Sequence, residues 1–163
     1  MIALNFSVNA TPLKNKLREK RMASSQKDLV RQWIEGIWNQ GDFDLLDTMA
    51  DQNYVFSTPG QDDLNPAGFK DFVNQIHNGF SDYRIEIVSQ MSEHDTVITK
   101  GISRGTHSAT FNGIEPTHKS IEVHWVMYTQ VKDSKMVHDW EIYDALGILT
   151  QLGIYPWKRS LQM

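Results

Sequence analysis

Residues 120–144, SIEVHWVMYTQVKDSKMVHDWEIYD, decide the fold that we predict for this chain. On each side of KDSK, β-branched and aromatic residues alternate with polar ones, which is typical of strands. KDSK itself is a polar segment of the kind found in turns. Two further strands are predicted upstream, in YRIEIVSQ (83–90) and TVITKGISRGTHSAT (96–110), with the polar turn SEHD between them.

The first half of the chain has a helical period instead. In KDLVRQWIEGIWNQ (27–40) apolar residues recur at helical spacing, so we predict an amphipathic helix that ends at Gly41. Shorter helices are predicted at 43–50, at 66–78 after an N-cap at Asn65, and at 145–153, with a strand at 54–58. Helices followed by antiparallel strands predict an α+β domain, with the helices packed on one face of a curved sheet.

Composition shifts divide the chain into an N-terminal extension (1–25), one domain (26–155) and a C-terminal tail (156–163). The extension contains a basic cluster, KNKLREKRM (14–22), with little apolar patterning. Two interpretations stay open for it: a flexible extension, or an arm that binds a partner.

The overall composition excludes several classes of function. A net charge of −4 gives no general attraction for nucleic acid or anionic lipid, so neither is expected as a partner. No apolar run approaches the roughly 20 residues of a membrane span. The absence of cysteine excludes disulfides, Cys-ligated zinc and thiol nucleophiles, and it fits a cytoplasmic location. The N-terminus has apolar residues before its lysines, the reverse of a secretory signal.

The strand in 120–131 has apolar residues on both of its faces. Val123, Trp125 and Met127 share one face, and Val126 and Tyr128 share the other. A half-exposed strand would alternate cleanly, so both faces are expected to be covered. Helices can cover one face. We predict a homodimer through the outer face of the sheet, the alternative being a terminal segment of the same chain.

Three carboxylates lie close together at the end of the last predicted strand. Alternation places Asp139 and Glu141 on one side, whereas Asp144 either lies opposite or caps the helix that follows. Glu141 is either exposed or points into an apolar pocket beneath the helix with Trp33 and Trp38. Burial there would raise the pKa of Glu141 and make it a suitable general base for a carbon acid.

Other catalytic motifs are absent from the sequence. There is no Gly-rich phosphate loop, no G-x-S-x-G elbow and no H-E-x-x-H. His124 and His138 could be neighbours across paired strands, but hydrogen bonding is the usual role of such histidines. We therefore predict neither a metal nor a cofactor.

Three segments, RGTH (104–107), FNGIEPT (111–117) and KMVHDWEIYDALGILTQLG (135–153), closely resemble the SnoaL-like polyketide cyclases, or ester cyclases. This family belongs to the nuclear transport factor 2-like superfamily, and the resemblance covers about residues 26–155. It implies a cone-shaped α+β barrel with a deep pocket between a curved sheet and the helices. It also implies an oligomer that packs through the outer face of the sheet.

The resemblance further implies an intramolecular aldol condensation without metal or cofactor. An acidic residue on the last strand of these cyclases removes a proton next to a carbonyl and later returns it, and that position falls on Glu141. Two residues that assist catalysis in the family are absent here. Met127 stands at the position of the family's histidine, and Phe56 stands at the position of its asparagine. These changes imply a less polar pocket and a less polar ligand. His107 matches the family, and we interpret it as bonded to a neighbouring backbone.

We therefore predict proton-transfer chemistry on a small apolar carbonyl compound, by cyclisation or isomerisation. Glu141 is the predicted acid–base residue and Asp144 the reserve candidate. The predicted pocket wall consists of Trp33, Trp38, Phe56, Trp125, Met127, Asp139 and Tyr143. Alternatives are a binding protein for a small hydrophobic molecule, an interaction protein with a vestigial pocket, and an epoxide hydrolase that would recruit Arg104.

Overall fold

The computed structural model describes residues 11–154. Residues 1–10 and the predicted C-terminal tail, 156–163, lie outside the described residues. The helices are α1 (Thr11–Trp33), which runs on into a π-helix (Ile34–Asn39), α2 (Asp44–Met49), α3 (Pro66–Gly79) and α4 (Ala145–Leu152). The strands are β1 (Ala50–Ser57), β2 (Arg84–Glu93), β3 (Thr96–Thr106), β4 (Ser120–Lys132) and β5 (Lys135–Tyr143).

The five strands form one sheet in the order β1-β5-β4-β3-β2. The pairs from β2 to β5 are antiparallel, as predicted, but β1 runs parallel to β5. The α+β class and the curved sheet on N-terminal helices are thus confirmed. The prediction of a wholly antiparallel sheet is wrong, because β1 joins the edge of β5 in the same direction. Since β1 and β2 are its two edges, the sheet stays open and does not close into a barrel.

The turns fix how the strands pair. Asp133 and Ser134, in the centre of KDSK, have φ angles of 50° and 61°. Positive φ at both central residues is characteristic of type I′ hairpins, whose twist matches that of the flanking strands. The resulting register of β4 and β5 places Met127 opposite Glu141.

Alternation along β5 holds near its end and fails near its start. The register with β4 shifts between Gln130 and Val131. An irregularity of this kind changes which residues face the core. Met136 is accordingly buried, although simple alternation placed it on the face opposite Glu141. Further along the strand, Asp139 and Glu141 share one side, as predicted, and the structure shows that this is the helix-covered side.

The π-helix determines which side chains of the N-terminal helix reach the core. Trp33 and Trp38 are five residues apart, and in an α-helix they would point about 140° away from each other. The i→i+5 repeat of a π-helix brings residues at this spacing onto one side. Both tryptophans are therefore buried, and their rings pack on Phe69 of α3.

The predicted boundary at residue 25 falls inside α1, which begins at Thr11. The described part of the predicted extension is therefore helical, and most of its described side chains are exposed. None of the helices in the described range has both the length and the apolar composition of a membrane span.

The outer face of the sheet has the apolar residues that the sequence predicted. Val126 and Tyr128 are 37% and 36% exposed, whereas Val123, Trp125 and Met127 are buried beneath the helices. Ile98, Trp140 and Ile142 are exposed on the strands adjacent to β4. These five outward residues are called the outer patch: Ile98, Val126, Tyr128, Trp140 and Ile142. No segment within residues 11–154 covers it.

The two histidines that could have been neighbours are not. His138 pairs with Gln130, whereas His124 pairs with Ile102 on the other side of β4. The two positions are therefore six residues apart along β4. Within residues 11–154, no cluster of three or more His, Cys, Asp or Glu side chains is arranged to hold a metal ion.

Candidate functional site

A cavity of about 260 Å³ lies between the end of the sheet and the helices. Its wall is mostly aromatic and aliphatic, with contributions from α3, β4, α4 and the loop at 107–119. Its large aromatic residues are Trp38, Phe72, Phe80, Tyr83, Phe111, Trp125 and Tyr143. The polar lining residues are few: Glu141, Ser103, Gln61 and Asn112. An apolar wall with few polar groups is the usual composition of a small-molecule site.

Glu141 is the carboxylate of this wall. It lies near the end of β5 on the helix-covered side and is 8% exposed. Burial, and secondarily the negative charge of Asp139, raises the pKa of Glu141 to about 8. Its carboxyl group is therefore largely protonated at neutral pH and can both accept and return a proton near pH 8.

Asp139 lies deeper than Glu141, in the core. Its Oδ2 accepts hydrogen bonds from Trp33 Nε1 (2.9 Å) and from the Tyr54 hydroxyl (2.8 Å). Burial raises the pKa of Asp139, and the hydrogen bonds from Tyr54 and Trp33 partly offset this shift. Burial, followed by the charge of Asp139, also raises the pKa of Tyr54. The Asp139 carboxylate thus anchors α1 and β1 to β5 and adds negative charge close to Glu141.

The sequence model of the SnoaL-like polyketide cyclases matches residues 28–152, about three quarters of the chain. The chain belongs to this family.

Solved structures of similar fold include three of comparable size. IdmH of Streptomyces antibioticus, a candidate polyketide cyclase, is 25% identical with a TM-score of 0.71, over 79% of this chain and 99% of that one. AclR of Streptomyces galilaeus, a candidate hydroxylase, is 23% identical with a TM-score of 0.73, over 82% and 99%. A candidate SnoaL-like cyclase from Jannaschia is 15% identical with a TM-score of 0.75, over 82% and 95%. No curated protein matches the chain.

In this SnoaL-like domain, the predicted pocket wall is divided between two layers. Trp38, Trp125 and Tyr143 line the cavity together with Glu141. The other four predicted residues do not line it and lie in the core below: Trp33, Phe56, Met127 and Asp139. Phe56, Met127 and Asp139 are strand residues on the helix-covered side of the sheet, but the aromatic rings of α3 pack directly against that part of the sheet. Phe69, for example, lies 5.1 Å from the ring of Phe56 and fills the space.

Asp144 has a structural role at the end of β5. Its Oδ1 accepts a hydrogen bond from the backbone N–H of Gly147 (2.7 Å), so it is the N-cap of α4. The side chain is exposed and is not part of the cavity wall. Of the two carboxylates predicted as acid–base candidates, the structure therefore places only Glu141 at the cavity.

Sequence reasoning missed the wall that α3 and the loop at 107–119 provide. The apolar face of α3 was visible in the sequence, and Phe72 and Ile76 from this face line the cavity. Phe111 was not predicted, because it comes from a loop without periodicity. It packs closely on Gly79, where an added Cβ would lie 2.9 Å from that of Phe111. The polar pair Tyr83 and Ser103, with a hydrogen bond of 3.0 Å, was also missed.

His107 supports the loop rather than the cavity. Its Nδ1 accepts a hydrogen bond from the backbone N–H of Thr117 (3.2 Å), in agreement with the predicted backbone partner. Its ring lies 5.2 Å from that of Phe80, which is itself a lining residue. His107 thereby ties the two ends of the loop together behind the cavity wall.

Arg104 lies on the outer face of the sheet, away from the cavity. It forms ion pairs with Glu86 (2.8 Å) and Glu122 (2.9 Å), and about half of its side chain is exposed. This carboxylate–arginine–carboxylate arrangement is open to solvent rather than enclosed around a substrate. No arginine among the described residues lines the cavity, so the epoxide hydrolase alternative lacks the arginine that its mechanism would need.

Proposed function

We propose that this protein catalyses cofactor-independent proton transfer on a small apolar carbonyl compound, with Glu141 as the acid–base residue. One observation carries the proposal: a buried carboxylate with a pKa of about 8 lies on the wall of an apolar cavity. A general base works best when its pKa is near the operating pH. Membership of the SnoaL-like polyketide cyclases supports the same class of chemistry.

The reaction begins when the Glu141 carboxylate removes a proton from the carbon next to a carbonyl. The electron pair of the C–H bond forms an enolate, and the negative charge moves to the carbonyl oxygen. In an aldol cyclisation the enolate carbon then attacks a second carbonyl of the same molecule, and Glu141 returns the proton to the new alkoxide. In the isomerisation of a β,γ-unsaturated ketone the enolate is a dienolate, and Glu141 instead returns the proton to its γ-carbon, which moves the double bond next to the carbonyl.

The size of the cavity limits the substrate. Its volume of about 260 Å³ is slightly below the range of roughly 300–1,000 Å³ that is common for ligand pockets. Phe72, Phe80 and Phe111 occupy much of the wall and leave few polar partners. We therefore propose a compound of one or two rings, or its open-chain precursor.

The test is hydrogen–deuterium exchange at the carbon next to the carbonyl of 2-tetralone, a two-ring ketone, followed by NMR in D₂O. After subtraction of the buffer rate, the catalysed rate should rise with pH and level off above pH 8, because the Glu141 pKa is about 8. This sign follows because only the ionised carboxylate removes a proton. A catalysed rate of zero, or one that does not depend on pH between 6 and 9, would contradict the proposal.

A second candidate function is binding of a small hydrophobic molecule without turnover. The apolar residues at the two assisting positions, Phe56 and Met127, favour it, because both are buried and offer no hydrogen bond to a substrate. The same experiment separates the two functions. Tight binding of 2-tetralone without exchange would support the binding protein.

We also propose that a second copy of the chain covers the outer patch. The five apolar side chains lie on adjacent strands, with Val126 paired to Ile142 and Tyr128 to Trp140. A two-fold interface brings the same surface of both copies together, so the outer patch of one copy would cover that of the other.

Light scattering should give the wild type a mass of about 38 kDa, twice the 18.8 kDa of one chain. Ile142→Glu in the outer patch should give the monomer mass, because the carboxylate would be buried without a partner. Gln75→Glu, on the exposed side of α3, is the matched control and should stay dimeric. A monomeric wild type, or a dimeric Ile142→Glu variant, would refute this interface.

A further inference from the structure

A pair of hydroxyl groups forms a second polar point on the cavity wall. The Tyr83 hydroxyl donates a hydrogen bond of 3.0 Å to Oγ of Ser103, and both residues line the cavity. Beyond Cβ the Ser103 side chain consists of this oxygen alone, and Tyr83 reaches the same point with its hydroxyl. Tyr83 is half-buried and Ser103 is 4% exposed, so part of the surface of both residues stays accessible.

The pair has hydrogen-bonding capacity that the described part of the protein does not use. Two hydroxyl groups carry two protons, and the bond between them uses only one. Neither hydroxyl has another partner within residues 11–154, so one proton stays without an acceptor, whichever group donates. Lone pairs on the oxygens are free as well. Because polar groups in a largely buried wall are nearly always paired, a ligand group that supplies both a donor and an acceptor is expected here.

The hydroxyl pair and Glu141 lie at different positions along the wall. In the register of the sheet, Glu141 is opposite Met127 and Ser103 is opposite Val123, four residues away from Met127 on β4. Trp125 lies midway between these two β4 positions and lines the cavity. A ligand against Trp125 can therefore meet the Glu141 carboxyl group at one end and the hydroxyl pair at the other.

The Tyr83 hydroxyl is suited to holding a ligand rather than to exchanging a proton with it. Burial, and secondarily the negative charge of Glu141, raises the pKa of Tyr83. The hydroxyl therefore stays protonated across the pH range in which Glu141 titrates. The two groups have separate tasks, because only the carboxyl group changes its charge there.

We propose that the Tyr83–Ser103 hydroxyl pair binds a hydroxyl group of the substrate, at the end opposite the carbon that Glu141 deprotonates. This inference rests on the proposed function and specifies its substrate as a hydroxylated ketone. A hydroxyl group suits the pair better than a carbonyl, because it can accept the free proton and donate its own to a free lone pair. A site built to hydrogen-bond a hydroxyl discriminates against the analogue that lacks it, since its polar groups are then left unpaired.

The test compares 2-tetralone with its phenolic isomers, which carry one hydroxyl at each free position of the aromatic ring. Dissociation constants are measured by titration at pH 6, where Glu141 is largely protonated and phenols are neutral. The wild type should bind at least one isomer more tightly than 2-tetralone, by about two- to tenfold for each hydrogen bond gained.

The decisive variant combines Tyr83→Phe with Ser103→Ala. Both hydroxyls are removed together, because either one alone could still bond the ligand. The double variant should lose the preference for the phenolic isomer and bind 2-tetralone within about twofold of the wild type. The preference is a ratio of two affinities in the same protein, so a general loosening of the cavity affects both ligands alike.

Tyr128→Phe is the matched control. The Tyr128 hydroxyl also pairs with a second hydroxyl, that of Thr96 (3.2 Å), but Tyr128 lies in the outer patch rather than at the cavity. This variant should keep the full preference.

The kinetics of deuterium exchange give a second readout. The pair holds the substrate away from the reacting carbon, so its bonds are equally strong in the ground state and in the transition state. The double variant should therefore raise KM for the preferred isomer and leave its kcat within about twofold. A loss of kcat with unchanged KM would place the pair at the reacting carbonyl and contradict the proposal.

The outcomes separate this inference from the proposed function. If the wild type binds no phenolic isomer more tightly than 2-tetralone, or if the double variant keeps the preference, the inference is overturned, whether or not exchange is catalysed. If the preference depends on the pair but no deuterium exchange is catalysed, the hydroxyl site stands and the enzymatic function falls.

Discussion

The Glu141→Gln variant is expected to lose catalysed deuterium exchange by about 10²- to 10⁴-fold, the usual contribution of a general base. At pH 8 the variant should also be more stable than the wild type. A substitution that damaged the fold would lower both properties. Opposite signs for activity and stability therefore identify Glu141 as a residue kept for its chemistry at a cost to folding.

The gain in stability follows from the raised pKa. Glu141 has a pKa of about 8 in the folded protein against an ordinary value of 4.5. Between these two values the unfolded chain has released the proton while the folded chain still holds it. The wild type therefore loses stability as pH rises from 4.5 to about 8, by about 1.4 kcal/mol for each pH unit. Glutamine does not titrate and avoids this loss, which amounts to roughly 3–5 kcal/mol at pH 8.

Urea unfolding at pH 5 and at pH 8 measures this difference. The two proteins should be similar in stability at pH 5 and should diverge at pH 8, with the variant higher. Asp144→Asn is the control, because Asp144 is exposed and asparagine also caps helices well. Equal free energies of unfolding for Glu141→Gln and wild type at both pH values would mean that Glu141 is not buried in an apolar environment.

Much of this site could be predicted because strand alternation is a local property. The residues around Glu141 alternate between large apolar and acidic side chains, which was enough to place Asp139 and Glu141 on one side of the strand but not to decide whether helices cover that side. The sequence left Asp144 with two possible roles, and in the structure it is the N-cap of the helix that follows. The parallel pairing of β1 with β5 is a tertiary feature, and no local pattern in the sequence specifies it.

The depth of each side chain could not be read from alternation. Phe56 and Met127 face the helices, as expected, but α3 packs onto them and moves the cavity toward the end of the sheet, where Phe111 and α4 enclose it. A loop such as 107–119 has no periodicity that reveals which side chain turns inward. The π-helix is a further case, since a spacing of five between Trp33 and Trp38 does not by itself distinguish a π-helix from an α-helix with one misplaced residue.

Asp139→Leu is expected to destabilise the protein by about 2–5 kcal/mol. The substitution removes the acceptor for two buried donors, Trp33 Nε1 and the Tyr54 hydroxyl, and each unpaired buried donor costs about 1–3 kcal/mol. Urea unfolding at pH 7 measures the loss. Asp139→Asn is the matched variant, because the amide oxygen can still accept both hydrogen bonds, and its loss should be clearly smaller. Equal losses for the two variants would show that the hydrogen bonds are not what the carboxylate contributes.

The same pair of variants separates the structural role of Asp139 from its effect on Glu141. Asp139→Asn keeps the acceptor but removes the negative charge, which is the second cause of the raised Glu141 pKa after burial. The pH profile of catalysed exchange should therefore move to lower pH in Asp139→Asn, and exchange at pH 7 should become faster because more Glu141 is ionised. Burial is unchanged, so the midpoint should stay above the ordinary value of 4.5 for glutamate. A profile that stays in place would mean that Asp139 is protonated beneath Glu141 and acts through its hydrogen bonds alone.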